Sequence, residues 1–191
     1  APLAELLLEG LRHGEGEASN ASRLTALVEG ACRPSLRVVD LSSQLITPSS
    51  NEDEPTDEQK RCVLFADNGV GVVPSLCKLM STAGNALTTV RLGDNGAWPA
   101  GSGAALATAL GAASCVVEEL DVGGSGLGAA DAAAFVAACG TLKTLTLGEW
   151  AIPVRELLSG ATVSIVGTKL SEVDGATVCS ALEANSALTR L

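Results

Sequence analysis

The stretch that decides the fold is residues 117–147, VEELDVGGSGLGAADAAAFVAACGTLKTLTL, because it holds one complete structural period and the start of the next. Its first apolar positions are Val117, Leu120 and Val122. A polar turn and an alanine-rich run follow, and the same spacing returns at Leu142, Leu145 and Leu147. Alternation of apolar and polar residues predicts a strand, and the alanine-rich run predicts a helix. The stretch therefore predicts a repeating strand and helix unit.

The same period recurs along the chain, with strands expected to begin at Leu3, Leu36, Leu87, Val117, Leu142 and Leu188. Helices are expected over 21–32, 72–85, 102–113 and about 129–139. A shorter unit places a strand at Val163 and Ile165, with at most one helical turn before it over 154–158. Ser171 opens the sequence S-E-V-D, a capping box that predicts the start of a further helix.

An acidic segment interrupts the rhythm, since 51 residues separate Leu36 from Leu87. Its core, PSSNEDEPTDE at 48–58, has no apolar anchor, so we expect an exposed insertion at about 47–68. We expect a single domain over 1–191 with about six to seven units. Because the chain starts with Ala1 and stops at Leu191 within an expected strand, both ends are predicted to be cut from something longer, or processed.

Composition restricts the classes of partner. The net charge of −10 argues against nucleic acids and anionic membranes, which require clusters of Lys and Arg. The uncharged run at 95–117 contains Pro99 and several glycines, so we expect no membrane insertion. Aromatic residues make up only 2% of the chain, and a core of Leu, Val and Ala suits stacked thin units.

The sequence offers little for catalysis or metal binding, so we predict a non-enzyme without catalytic residues, cofactor or metal. The six cysteines form no C-x-x-C pair, and their spacing fits reduced thiols in a cytoplasmic protein. His13, the single histidine, lies in a Gly/Glu loop. A G-x-G-x-x-A motif runs from Gly124 to Ala129. The strand before it alternates with acidic residues, which disfavours a dinucleotide-binding fold.

The repeated pattern L-x-x-L-x-L-x-x-N-x-L resembles the leucine-rich repeat superfamily, specifically its ribonuclease-inhibitor-like subtype, over nearly the whole chain. The asparagine of the pattern is kept only at Asn95. Leu11, Gln44, Ser125, Trp150 and Thr168 replace it elsewhere, so a continuous asparagine ladder is not expected. The resemblance implies an α/β leucine-rich repeat solenoid, a horseshoe with parallel concave strands and helices on the convex side.

Such a fold turns the residues between the apolar strand positions away from the core, onto a polar concave face. The candidate partner-binding residues are Arg37, Asp40, Arg91, Glu119, Asp121, Lys143, Trp98 and Trp150. Two alternatives stay open at this point. The face is either a docking surface or a solvated sheet with cross-strand charge pairs, and the tryptophans either contact a partner or fill the core.

The resemblance favours a non-catalytic protein–protein interaction scaffold in the cytoplasm, alone or within a cytoskeletal or other large assembly. One alternative is a regulator of enzyme activity, because Ran GTPase-activating proteins share the repeat subtype. Another alternative is an extracellular recognition or adhesion domain. The sequence identifies neither a small-GTPase surface nor flanking disulfide caps.

Overall fold

The structure of this chain is a computed structural model, which describes residues 5–7, 26, 30–31, 33–43, 72–99, 101–138, 140–162 and 169–189. The described part is α/β, as the sequence predicts. Its strands are β1 (Glu5–Leu7), β2 (Val38–Asp40), β3 (Thr89–Arg91), β4 (Glu119–Asp121), β5 (Thr144–Thr146) and β6 (Ala151–Ile152). Its helices are α1 (Val72–Met80), α2 (Ser102–Leu110), α3 (Ala129–Ala138), α4 (Val154–Ser159) and α5 (Glu172–Glu183).

The described strands form one sheet in the order β1-β2-β3-β4-β5-β6, so each strand pairs with its neighbours in sequence. The first five are parallel, and β6 runs antiparallel to β5. The register places one apolar residue of each parallel strand in a single row, formed by Leu6, Val39, Val90, Leu120 and Leu145. The repeated spacing in the sequence therefore becomes a repeated position in the sheet.

The apolar positions of the repeat form the core. Between Leu36 and Leu147 the side chains at these apolar positions are at most 3% exposed: Leu36, Val39, Leu41, Leu87, Val90, Leu92, Val117, Leu120, Val122, Leu142, Leu145 and Leu147. Burial of each such side chain contributes about 1.5–3 kcal/mol. Since neighbouring strands contribute equivalent residues, each unit is stabilised mainly by the units beside it.

The helices pack in a row: α1 against α2, α2 against α3, and α3 against α5, with α4 beside α5. Their inward residues join the same core, including Leu76 of α1, Leu106 of α2 and Phe135 of α3. Helix α1 ends at Met80 rather than at residue 85, because the Asn85 side chain donates to the carbonyl oxygens of Met80 (3.1 Å) and Thr82 (2.8 Å). Helix α2 likewise ends at Leu110, before residue 113.

Two features at the C-terminal end differ from the predicted period. Helix α4 spans six residues, more than the single turn expected. Strand β6 was not predicted; residues 148–150 fold back so that Ile152 pairs with Leu145. A two-residue strand carries too little pattern to be recognised in the sequence.

Several predictions fall outside the described residues, namely the acidic insertion, most of the helix at 21–32 and the strand at 163 and 165. Of the predicted first helix, Ala26, Gly30 and Ala31 are described and are helical. Leu188 is described but is not in a strand, and Leu191 is not described. None of the helices within the described ranges combines the length and apolar character needed to cross a membrane.

Candidate functional site

The residues that point away from the core form a polar surface, which we call the strand face. It consists of Arg37, Val38, Asp40, Thr88, Thr89, Arg91, Glu118, Glu119, Asp121, Lys143, Thr144 and Thr146, all exposed or half-buried. The register aligns eight of these residues in two columns across β2 to β5. Val38, Thr89, Glu119 and Thr144 form one column, and Asp40, Arg91, Asp121 and Thr146 form another.

Charged residues on the strand face pair across neighbouring strands. Arg91 lies between two carboxylates, with Nη1 3.5 Å from Asp40 Oδ2 and Nη2 3.4 Å from Glu119 Oε2. Lys143 Nζ lies 2.6 Å from Glu118 Oε2. Because the Arg91 and Lys143 side chains are about half exposed, each pair contributes about 0.2–1 kcal/mol at most. The pairs therefore order the side chains more than they stabilise the fold.

The two aspartates of the strand face are fixed by backbone groups in the turns that follow their strands. Asp40 Oδ1 accepts a hydrogen bond from the Ser42 N–H (3.1 Å), and Asp121 Oδ1 accepts one from the Gly123 N–H (2.9 Å). Burial raises the pKa of Asp121. The Gly123 N–H and Arg91 lower this pKa, and the nearby Asp94 and Asp40 raise it further. The side-chain carboxylates of Asp40, Asp94 and Asp121 therefore lie near one another at the C-terminal ends of the strands.

The turns after β2, β3 and β4 stack on one another through main-chain hydrogen bonds. The Ser43 N–H donates to Gly93 O (2.9 Å), and the Asp94 N–H donates to Gly123 O (2.8 Å). Ser43 and Asp94 adopt φ of 56°, and Gly124 at the equivalent place adopts φ of 68°. The left-handed conformation thus repeats from turn to turn and keeps the turns parallel.

Asn95 holds the turn after β3 from inside. Its side chain is fully buried, and Nδ2 donates to the carbonyl oxygens of Leu41 (2.8 Å), Leu92 (2.8 Å) and Gly93 (3.1 Å). Ser125 occupies the equivalent place in the next turn, but its buried Oγ has no hydrogen-bonding partner. The side-chain ladder therefore does not extend to Ser125.

A cleft of about 630 Å³ lies over these turns, and we call it the turn cleft. Its lining residues are Ser42, Gly93, Asp94, Asp121, Gly123, Gly124, Gly126, Leu127, Thr146, Leu147, Gly148, Glu149, Ser171 and Val173. Three of its glycines, Gly93, Gly123 and Gly148, lie two residues beyond the ends of strands β3, β4 and β5. A Cβ on Gly93 would lie 3.1 Å from Asp121 Oδ1, and one on Gly123 would lie 2.8 Å from Gly148 O. The cleft floor is therefore bare backbone.

The wall of the turn cleft at Gly148 is backed by a buried carboxylate. Asp174 is fully buried, and its Oδ2 accepts hydrogen bonds from Ser171 Oγ (2.7 Å), the Ser171 N–H (3.3 Å) and the Glu149 N–H (3.1 Å). The Asp174 N–H donates to Ser171 Oγ (3.2 Å), which completes the predicted capping box of α5. Burial alone would raise the pKa of Asp174, but donors from Ser171, Glu149 and Trp150 outweigh it and lower the pKa.

The two tryptophans that were named as candidate partner-binding residues have different environments. Trp98 is only 8% exposed and belongs to the core, which favours the core-filling alternative for this residue. Trp150 is 44% exposed, and its Nε1 donates to Lys169 O (3.2 Å). Of the pair, only Trp150 presents a large aromatic surface to solvent.

The glycine-rich motif at 124–129 precedes α3, where a dinucleotide-binding fold would place phosphate. Here the Gly128 N–H donates to Asp131 Oδ2 (3.0 Å), so the chain's own carboxylate takes this donor. Strand β4 is also exposed on one side, at Glu119. Among the described residues, no group of three or more His, Cys, Asp or Glu side chains is arranged to hold a metal ion.

The structure brings most of the predicted contact residues onto one surface. Arg37, Asp40, Arg91, Glu119, Asp121 and Lys143 all belong to the strand face, and Trp150 follows β5. Sequence reasoning missed the turn cleft and its residues Asp94, Glu149 and Ser171. The one available signal was the glycine that follows Leu92, Val122 and Leu147 in three successive units.

Comparison with known proteins adds no relative. A scan against known protein families found no match, and a search of curated proteins found none either. The functional argument therefore rests on the geometry of the strand face and the turn cleft.

Proposed function

We propose that this chain is a non-catalytic scaffold of the ribonuclease-inhibitor-like leucine-rich repeat type, which binds a protein partner on the strand face. The sequential order of the parallel strands, the single apolar row through them and the row of helices support a repeat solenoid. In such a solenoid the strand face is the concave surface.

The observation that carries the proposal is the set of in-register columns on the strand face. Parallel strands lie about 4.8 Å apart, so four strands present polar side chains at a fixed, repeated spacing. A partner that contacts several strands meets groups whose positions are already set by the backbone. Preorganised groups lose little conformational entropy on binding, which favours specific recognition by a broad surface.

The chemistry of the described side chains also favours binding over catalysis. Burial raises the pKa of Cys77 to about 11 and also raises the pKa of Cys115, so both thiols stay protonated and unreactive at neutral pH. Such thiols suit a reducing compartment, so the proposal places the scaffold in the cytoplasm, alone or within a large assembly. Arg91 pairs with Asp40 and Glu119, and Lys143 pairs with Glu118, so these charged groups do not converge on one reacting bond.

The test compares partner recovery by the full-length protein and by two charge-matched variants. Glu119→Lys with Thr144→Lys changes one column of the strand face. Glu156→Lys with Ser159→Lys makes the same net charge change on exposed positions of α4. Circular dichroism establishes that both variants remain folded.

We expect the strand-face variant to lose a protein that the wild type and the α4 variant both recover from native extract. The interaction is then reconstituted with the purified partner and its Kd is measured for all three proteins. Equal affinity of the strand-face variant and the wild type for every recovered partner would contradict the proposal.

A further inference from the structure

We infer that the turn cleft takes the lysine or arginine side chains of an extended basic segment of the partner. The inference rests on the proposed scaffold function, since it assigns a chemistry to part of the same surface. The turn cleft continues from the strand face through Asp121 and Thr146, which belong to both. A partner segment that lies along the columns of the strand face therefore reaches the turn cleft over the protein surface.

The first observation is an imbalance of charge. Asp94, Asp121 and Glu149 line the turn cleft, whereas none of its lining residues is Lys or Arg. The nearest bases on the strand face are already engaged, Arg91 with Asp40 and Glu119, and Lys143 with Glu118. Asp94, Asp121 and Glu149 form no ion pair with any described residue. A cationic group entering the cleft would therefore meet carboxylates that no described Lys or Arg pairs with directly.

The second observation is the buried carboxylate behind the cleft wall. Asp174 is fully buried, and its Oδ1 accepts no well-aligned hydrogen bond from any described residue. It lies directly behind Gly148, because a Cβ on that glycine would come within 2.6 Å of both carboxylate oxygens. Its lowered pKa keeps it ionised, so it adds negative potential at the wall where Gly148 and Ser171 face the cleft.

The third observation is the combination of apolar and acidic lining. Leu127, Leu147 and Val173 line the same space as the carboxylates. Lysine and arginine pair an apolar stem of methylene groups with a charged head, so they bury the stem against apolar side chains and present the head to acids. Leu127, Leu147 and Val173 supply the apolar contact for the stem, and Asp94, Asp121 and Glu149 supply the acids for the head. A small inorganic cation would make no use of the apolar wall.

The probe is a fluorescein-labelled octapeptide of alternating lysine and serine, with an otherwise identical peptide of Nε-acetyl-lysine as the uncharged comparison. Binding of each to the full chain is measured by fluorescence anisotropy. The cleft variant is Asp94→Asn with Asp121→Asn and Glu149→Gln. The matched control, Glu156→Gln with Glu172→Gln and Glu183→Gln, removes the same number of negative charges from exposed helical positions.

We expect the lysine peptide to bind the wild type and the control alike, and the cleft variant at least about tenfold more weakly, the effect of losing about 1.4 kcal/mol of binding. We expect the acetylated peptide not to bind. Equal loss of affinity in the two variants would reduce the effect to net charge and overturn the inference, as would binding of the acetylated peptide at the same affinity.

Failure of this inference is distinguishable from failure of the scaffold function. If the cleft variant binds the reconstituted partner as tightly as the wild type while the strand-face variant does not, the scaffold stands and the cleft assignment is wrong. If neither the strand-face variant nor the cleft variant changes partner affinity, both are wrong.

Discussion

The turns after β3 and after β5 solve the same problem with different groups. In the turn after β3, the buried Asn95 amide donates to three carbonyl oxygens from two successive turns. In the turn after β5, Trp150 takes the place of that asparagine, and the Asp174 carboxylate of α5 accepts from the Glu149 N–H instead. The comparison teaches that the repeat requires its turn backbone to be hydrogen-bonded, while the side chain that does so is free to change.

The exchange of partners coincides with a change of strand direction, because the next described strand, β6, runs antiparallel to β5. Asn95 joins the turn after β3 to the turn before it through its hydrogen bond to Leu41 O. The Asp174 carboxylate instead joins the turn after β5 to helix α5, and residues 148–150 reverse the chain into the antiparallel β6. The four predictions that follow test this contrast, from the largest expected effect to the smallest.

Replacing Asp174 with Ala should reduce the free energy of unfolding by about 3 kcal/mol, since it removes a buried charged acceptor of several hydrogen bonds. The matched change Asp131→Ala in α3 removes one acceptor, for the Gly128 N–H, and should cost about 1 kcal/mol. Urea unfolding of the two variants measures the difference. Equal losses would show that the turn after β5 does not depend on Asp174.

Replacing Asn95 with Ala should cost about 2 kcal/mol, because three buried carbonyl oxygens lose a donor. Ser125 lies at the equivalent place without a hydrogen-bonding partner for its Oγ, so Ser125→Ala should change stability by about 0.5 kcal/mol or less. The same unfolding measurement separates them. A large loss for Ser125→Ala would mean that the ladder extends further than its hydrogen bonds indicate.

Replacing Gly148 with Ala should cost about 1–2 kcal/mol, since the new Cβ meets Ser171 Oγ and the Asp174 carboxylate. Gly128→Ala is the control, because a Cβ there has no neighbour within 4 Å. Thermal unfolding of both variants should show a lower Tm for Gly148→Ala alone. If the two variants melted together, the close approach of α5 to this turn would be in error.

Replacing Asp121 with Asn should raise stability slightly at neutral pH. The folded state raises the pKa of Asp121 above the usual 3.8, so this carboxyl begins to cost stability as the pH rises through 3.8, and the full cost is present once the pH exceeds the folded pKa. Asparagine keeps an oxygen that accepts from the Gly123 N–H. The gain in Tm should be present at pH 7 and shrink towards about pH 3, where aspartic acid is neutral in both states. A loss of stability at neutral pH would contradict the assigned cause.

The sequence predicted strands β2 to β5 and their inward residues, because each of these inward residues repeats a position of the period. Leu120 is recognisable from Leu145 and Val90, which fill the same row. The capping box at Ser171 was predicted for a similar reason, since it is a local pattern of four residues. A feature formed by residues that are close together in the sequence can be predicted from the sequence alone.

The turn cleft and β6 could not be predicted, because their determinants are not local. Asp94, Glu149 and Ser171 come from three separate segments, and only the stacking of turns brings them to one cleft. Trp98 belongs to the core, although it lies outside the repeated apolar spacing that identifies the other core residues. Sequence patterns identify what repeats, whereas a site is formed by what differs between the repeats.

The decisive measurement is site-specific photocrosslinking of the full-length protein to its partner. A photoreactive amino acid is placed at Thr89 on the strand face or at the exposed Ala133 of α3. The scaffold proposal predicts a crosslinked partner from Thr89 and none from Ala133. Crosslinking from Ala133 alone would place the interaction on the helices and contradict the proposed use of the strand face.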